Sequence, residues 1–234
     1  MERSSPALPA LEHARQQAAA ASGGTSNDAI YAAILRALDE FGAIGSALDF
    51  GAGMGSFTRR LMRANRFSKV SAADLMDRPA DLDVQWIRAD LNDPLPASPE
   101  TFDTVIAAEV IEHLENPRAM ARELFRLLRP GGLAIISTPN NESWRSLLSL
   151  WLRGHHIAFL EGSYPAHITA LVRKDLQRIL VEAGFEAPVF RFTNEGGIPG
   201  MPTTSWQKVS AGGLRGLRFS DNLIAISRKP GARE

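Results

Sequence analysis

The sequence predicts an α/β fold. It should hold a seven-stranded sheet of five parallel strands and a C-terminal antiparallel hairpin, with helices on both faces. Three observations carry this. Short apolar runs alternate with helix-period segments along most of the chain, and such alternation builds strand–helix–strand units. The runs are almost continuously apolar, as strands buried on both faces are. The last two runs, "APVFRF" and "NLIAISRK", lack an obvious crossover helix between them, so they can pair antiparallel.

Residues 1–25 are rich in Ala, Ser and Pro and end in "SGG". They are expected to form a flexible N-terminal segment with a helical piece around 10–21. A single domain is expected over 26–230. It opens with "SNDAIYAAILRALDEFG", where cap residues stand at Ser26 to Asp28 and Ile30, Ile34, Leu35, Leu38 and Phe41 keep a helical period. Gly42 ends that helix. "SALDF" is the first strand and "FTRRLMRAN" the next helix. "KVSAAD", "VQWIRAD" and "FDTVIAAE" are strands ending at Asp74, near Asp90 and at Glu109. The link from Asp74 to Val84 leaves little room for a helix. "NPRAMARELFRLLRPGG" is a helix closed by Pro-Gly-Gly, followed by the strand "LAIISTPN". "ESWRSLLSLWLRG" and "VRKDLQRILVEAG" are amphipathic helices, and "APVFRF" and "SDNLIAISRK" complete the sheet. Segments 141–170 and 193–220 are insertions or lids. A connection as long as the second is usually functional or disordered.

Composition narrows the functions. Among 234 residues, Lys+Arg and Asp+Glu both number 26. With no net charge there is no global field to hold nucleic acid, so none is expected as a partner. Cysteine is absent, which excludes disulfides, thiolate zinc sites and a thiol nucleophile. No apolar run approaches the ~20 residues of a spanning helix, and the first residues lack a signal-peptide core. A cytoplasmic protein without stable membrane insertion is expected.

The chemistry starts in "ALDFGAGMGSFTRRL", where Gly51, Gly53 and Gly55 follow an apolar strand and open a helix. A dinucleotide fingerprint would place its third glycine at 56, where Ser56 stands. A phosphate-binding P-loop would end in Gly-Lys-Ser/Thr, and this loop does not. Asp74, at the end of the next strand, can accept both hydroxyls of a ribose. Asp90, at the end of the third, can reach an adenine amino group. Asp49, just before the loop, can help hold an ammonium. The set describes a nucleoside with an amino-acid-like tail rather than a pyrophosphate.

Together "ALDFGAGMG", "VSAADL", "RADLNDPLP", "FDTVIAAEVIEHLENP" and "LLRPGGLAIISTPN" resemble the ordered motifs of class I S-adenosylmethionine-dependent methyltransferases, which have a Rossmann-like sheet. The resemblance covers residues 27–228. It implies that Gly51, Ala52, Gly53 and Gly55 pass beside the methionine part of S-adenosyl-L-methionine. It implies that Asp74 with Leu75 holds the ribose, that Asp90 with Leu91 borders the adenine, and that Ala108 touches the cofactor through its backbone. Ala52 stands where many relatives have Cys.

After the fourth strand, "EVIEHL" brings Glu109, Glu112 and His113 to the carboxyl edge of the sheet. They either order the loop or form a divalent metal site, since two carboxylates and an imidazole suit such an ion. The pattern resembles the metal-binding segment of ubiquinone-pathway and small-RNA O-methyltransferases, where a downstream histidine such as His167 could join. His167 opens "HITALVRKDLQRILVEAGF", similar to a stretch of the quinone and small-molecule O-methyltransferase branch. His167 and His113 are therefore the candidate catalytic bases, with His155 and His156 weaker ones, because an imidazole titrates close to neutral pH. In the insertion helix, Trp144, Leu147, Leu148, Trp151 and Leu152 share a face. That face could pack on the domain or in a homodimer, cover an apolar acceptor, or meet a membrane surface.

The reading is methyl transfer to a small organic acceptor, at a hydroxyl, with a divalent metal as an option. N-methylation of an amine and methylation of a lipid-linked quinone precursor stay open. So do two other classes, a nicotinamide-dependent oxidoreductase and a non-catalytic cofactor- or partner-binding protein.

Overall fold

A computed structural model of the chain describes residues 8–232. Helix α1 (Leu8–Ala21) precedes the domain. Helix α2 (Asp28–Glu40) starts where the Asn27 side chain accepts the Ile30 amide, as an N-cap should. Then come β1 (Gly45–Phe50), α3 (Ser56–Arg63), β2 (Phe67–Asp74), β3 (Gln85–Arg88), β4 (Phe102–Ala108), α4 (Pro117–Leu127) and β5 (Leu128–Pro139). Helices α5 (Trp144–Arg153) and α6 (Arg173–Glu182) lead to β6 (Val189–Phe192). A small ribbon of β7 (Gly197–Ile198) and β8 (Met201–Ser205), with the short α7 (Trp206–Val209), fills the connection to β9 (Asn222–Arg228).

The main sheet has seven strands in the order β3-β2-β1-β4-β5-β9-β6. β1 to β5 are parallel, and β9 runs antiparallel between β5 and β6. This is the expected sheet with its terminal hairpin. Alternation along each central strand sends side chains to two separate cores. Val105 and Ala107 of β4 join Leu124, Leu127, Leu176 and Leu180 of α4 and α6. Ile106 and Ala108 join Ile34, Leu38, Phe57 and Leu61 of α2 and α3 on the opposite face. Burial on both faces is what makes these strands read as continuous apolar runs.

The expected helical piece around 10–21 is α1, whose Arg15 is clasped by acids of the domain, and residues 1–7 of the expected flexible segment lie outside the described residues. Three local expectations change. Helix α4 ends at Leu127, and Pro-Gly-Gly lies in the extended start of β5, where the Gly131 amide donates to the Lys229 carbonyl at 2.9 Å. The 193–220 insertion is structured: Asn140 Nδ2 donates to the carbonyls of Leu217 and Ser220, and Arg145 pairs with Asp221 at 2.9 Å. Last, α5 packs by its serine face. Ser146 and Ser149 are buried, while Trp151 is 80% and Leu152 63% exposed. Ser146 Oγ bonds His156 Nδ1 at 2.9 Å, and that polar contact orients the helix with its apolar side outward.

Candidate functional site

The strand order changes direction between β1 and β4, and open sheets bind ligands at the carboxyl ends around such a point. A cavity of about 610 Å³ lies there. Asp49, Gly51, Ala52, Gly53, Asp74, Leu75, Asp90, Leu91, Ala108, Glu109, Glu112, His113 and His167 all line it. Gly55 does not. A side chain at Gly55 would start 2.1 Å from Leu82 Cδ1, so this glycine serves contact with the β2–β3 link.

The glycine loop is held by the protein itself. The amides of Gly51 and Ala52 donate to the Ala73 carbonyl at 2.8 and 3.1 Å, and that of Gly53 donates to Asp74 Oδ2 at 2.7 Å. Met54 donates to the Gly24 carbonyl and Gly55 to that of Ala52. Every backbone N–H from Gly51 to Gly55 is thus spent internally. A pyrophosphate site needs such groups free to point at the ligand. Gly53 has φ +52°, and a Cβ there would sit 2.3 Å from the Gly24 carbonyl oxygen. The N-terminal strap, pressed against the loop, is what demands a glycine.

The acids differ in their wiring. Asp74, buried at the end of β2, accepts from Gly53 and, through Oδ1, from the Met76 amide at 2.8 Å. Each oxygen keeps a lone pair for a hydroxyl donor. Burial raises its pKa against those hydrogen bonds. Asp90 Oδ1 accepts from the amide and side chain of Asn92, and Oδ2 accepts from Arg15. Asp49 is fully buried. Oδ2 accepts from Thr58 Oγ1 at 2.6 Å, but Oδ1 has no partner among the described residues. Burial pushes its pKa up to about 7. A bound ammonium is the kind of group that would satisfy it.

At the other end, a 3-10 turn over Ile111–His113 presents Glu112 and His113 to the cavity. Glu112 Oε2 accepts from Thr138 Oγ1 at 3.1 Å, while its buried Oε1 has no partner among the described residues. Burial, then the neighbouring Glu109 charge, pushes its pKa up. His113 Nδ1 and His167 Nδ1 meet the carbonyls of Ala166 (2.8 Å) and Ala158 (2.6 Å). A carbonyl only accepts, so both rings carry a proton on Nδ1, and the Glu109 backbone also faces the His113 ring. Their ring centroids are 4.8 Å apart. Burial holds His113 below the ordinary imidazole pKa. One ligand atom each from Glu112, His113 and His167 lie within 4.8 Å of one another.

Glu109 is not part of that trio. Its backbone is left-handed, with φ +56°, so it does not share a helical face with Glu112. Ser137 Oγ and Asn222 Nδ2 donate to its two oxygens at 2.8 and 2.7 Å. Burial pushes its pKa up to about 7. Glu112, His113 and His167 thus come together, the downstream histidine joining as expected, while Glu109 lines the cavity with its carboxylate turned to Ser137 and Asn222. His156 bonds Ser146, and neither it nor His155 lines the cavity.

Other lining residues were not identified from the sequence. Arg15, Ala18 and Ala19 come from α1 and Ser22 from the turn after it, Arg145 comes from α5, and Asp221 and Asn222 stand where the chain enters β9. The first four had a readable signal, because positions i, i+3, i+4 and i+7 share a helical face. The others had none.

The chain matches a family model described as a methyltransferase domain over residues 13–187. It is 26% identical over 135 residues to a ubiquinone biosynthesis O-methyltransferase of Thiobacillus denitrificans, covering 58% of this chain and 57% of that one. It is 31% identical over 153 residues to a malonyl-(acyl-carrier protein) O-methyltransferase of Halorhodospira halophila, covering 61% and 48%. The chain thus spans about half the length of these relatives. The solved structure of 1,6-didemethyltoxoflavin-N1-methyltransferase from Burkholderia thailandensis superposes with a TM-score of 0.61 at 17% identity, covering 98% of this chain and 92% of that one. At that identity the likeness is one of fold.

Proposed function

This chain belongs to the S-adenosylmethionine-dependent methyltransferase family, and from that premise we propose that it methylates a hydroxyl of a small organic acceptor. The observation that carries the cofactor half is the wiring of the glycine loop. Its amides are spent, so the cavity offers a pyrophosphate little, while Asp74 has room for ribose hydroxyls and Asp49 holds an unmatched carboxylate oxygen for an ammonium. This also weighs against a nicotinamide dinucleotide.

Bound S-adenosylmethionine supplies a methyl group activated by its sulfonium. The chain's own contribution is to orient the acceptor, exclude water and take a proton. A neutral hydroxyl is a weak nucleophile and needs that help. His167 Nε2 is the acceptor of the proton, its ring held by the Ala158 carbonyl. Glu112, His113 and His167 also fit a divalent cation. Both imidazoles are anchored through Nδ1 by carbonyls, as metal-ligating histidines usually are, and Glu112 Oε1 is unpartnered. A cation there would lower the acceptor hydroxyl's pKa. The O-methyltransferase names of two relatives support oxygen as the acceptor atom.

An amine is the second reading, because the Glu112 oxygen, without a partner among the described residues, could take the proton that an ammonium must lose before its nitrogen attacks the methyl group. Calorimetry with S-adenosylmethionine and with NADH tests the cofactor: only the first should bind. Transfer of labelled methyl to phenolic and amine acceptors, with and without chelator, tests the rest. Transfer to amines alone would overturn the hydroxyl reading.

A further inference from the structure

Helix α1 lies over the nucleoside end of the cavity. Arg15, Ala18 and Ala19, with Ser22 in the turn after it, form its lining face. Three of these are small and remove little apolar surface from water, so they hold the helix weakly. Among the described residues of the helix, the firm tie is polar. Arg15 Nε and Nη2 donate to the two oxygens of Glu115 at 2.9 and 2.8 Å. Nη1 donates to Asp90 at 3.0 Å and to Asp93 at 3.3 Å. This two-pronged geometry is what a guanidinium achieves and an ammonium does not. The Arg15 and Asp90 side chains are only 19% and 20% exposed. At the other end of the strap, the Gly24 carbonyl accepts the Met54 amide at 2.9 Å, pinning it to the glycine loop.

We propose that Arg15 is a positioning residue of the cofactor site: it latches α1 over the nucleoside and sets the Asp90 carboxylate for the adenine amino group. This rests on the cofactor reading above. A nucleoside beneath α1 leaves only when the Arg15 contacts break, so the latch governs departure more than arrival. Glu115 and Asp93 are the more exposed members of the cluster, at 45% and 67%, so dissolved salt reaches them and should weaken the latch.

The test is the dissociation rate of S-adenosylhomocysteine from the full-length protein, measured by stopped flow for wild type, R15A, R15K, E115Q and the R15A/E115Q double variant. R15A should release the ligand about tenfold faster with association changed by less than about threefold, since related complexes differ mostly in dissociation. R15K and E115Q should fall between it and wild type. The double variant should match R15A, because both changes break one contact network. Raising salt should speed release from wild type and leave R15A unchanged, an effect that a merely structural role for Arg15 would not produce. Release from R15A at the wild-type rate, or additive effects of R15A and E115Q, would overturn the latch. Failure of wild type to bind S-adenosylhomocysteine at all would overturn the cofactor reading first.

Discussion

The two ends of the cavity are built differently. The cofactor end is built mostly from the tips of consecutive strands, β1, β2 and β3, within residues 49–91, with α1 and the Gly24 strap laid over it. There the loop amides and Asp74 satisfy one another. The acceptor end gathers the turn after β4, the α5 insertion and the start of β9, residues far apart in the chain. It keeps a buried carboxylate oxygen without a partner among the described residues, beside two imidazoles anchored through Nδ1 by carbonyls. The contrast shows where binding is prepaid and where it waits. The glycine loop and Asp74 are shaped before ligand arrives, while Glu112, like Asp49 at the cofactor end, carries an electrostatic cost that a cation or a proton donor would relieve.

The largest effect expected from breaking the cofactor end is that of Gly53→Val. Its Cβ would collide with the Gly24 backbone at 2.3 Å, from a left-handed conformation that valine resists. Binding of S-adenosylmethionine should fall below detection by calorimetry, with thermal unfolding shifted down by roughly 2–4 kcal/mol. Unchanged binding would mean that the strap does not press on the loop. Asp74→Ala should come next, weakening binding by about 1.5–3 kcal/mol, since charge-assisted hydrogen bonds to a ribose are lost.

The acceptor end sharpens the comparison in the opposite direction. Glu112→Gln removes a carboxylate whose burial is only partly compensated, so the ligand-free protein should gain on the order of 1 kcal/mol at pH 8 in denaturant titration. The same variant should lose turnover without losing cofactor affinity, and chelator should mimic it if a divalent ion is used. A destabilised Glu112→Gln would show that the carboxylate is better served than its hydrogen bonds suggest.

A pH-dependent effect concerns Asp49. Its folded pKa, raised to about 7 by burial, lies above its unfolded value near 3.8. A group raised in this way favours the folded state fully below its unfolded pKa, and that advantage is lost as pH rises through about 7. Ligand-free stability should therefore decline between about pH 4 and pH 7, helped by Glu109, raised likewise to about 7. Asp49→Asn should flatten part of that slope in thermal melts and weaken binding of S-adenosylmethionine. A slope that is the same in wild type and Asp49→Asn would remove Asp49 from the account.

Local patterns made much of this legible. The apolar period of "AILRAL" and the Asn27 cap specified α2, and the acids at strand ends stood where the chain leaves the sheet. The reading failed where tertiary context outweighs local preference. The face of α5 with Trp144, Leu148 and Trp151 looks like a core face, yet Ser146 and its bond to His156 decide which side turns inward. Glu109 and Glu112 look like a helical pair, yet Ser137 and Asn222 draw Glu109 away through a left-handed turn.

By itself, then, the sequence determined the sheet, the order of its strands' contents, the glycine loop and the acids at Asp49, Asp74 and Asp90. These follow from periodicity and from residues adjacent in the chain, whose geometry the backbone sets within a few bonds. Only the tertiary structure decided that Glu109 turns its carboxylate to Ser137 and Asn222, that Gly53 is required by Gly24, and that Arg15 ties α1 across the cavity. Those contacts join segments distant in sequence, and a hydrogen bond or ion pair depends on atoms meeting in space, which no local pattern encodes.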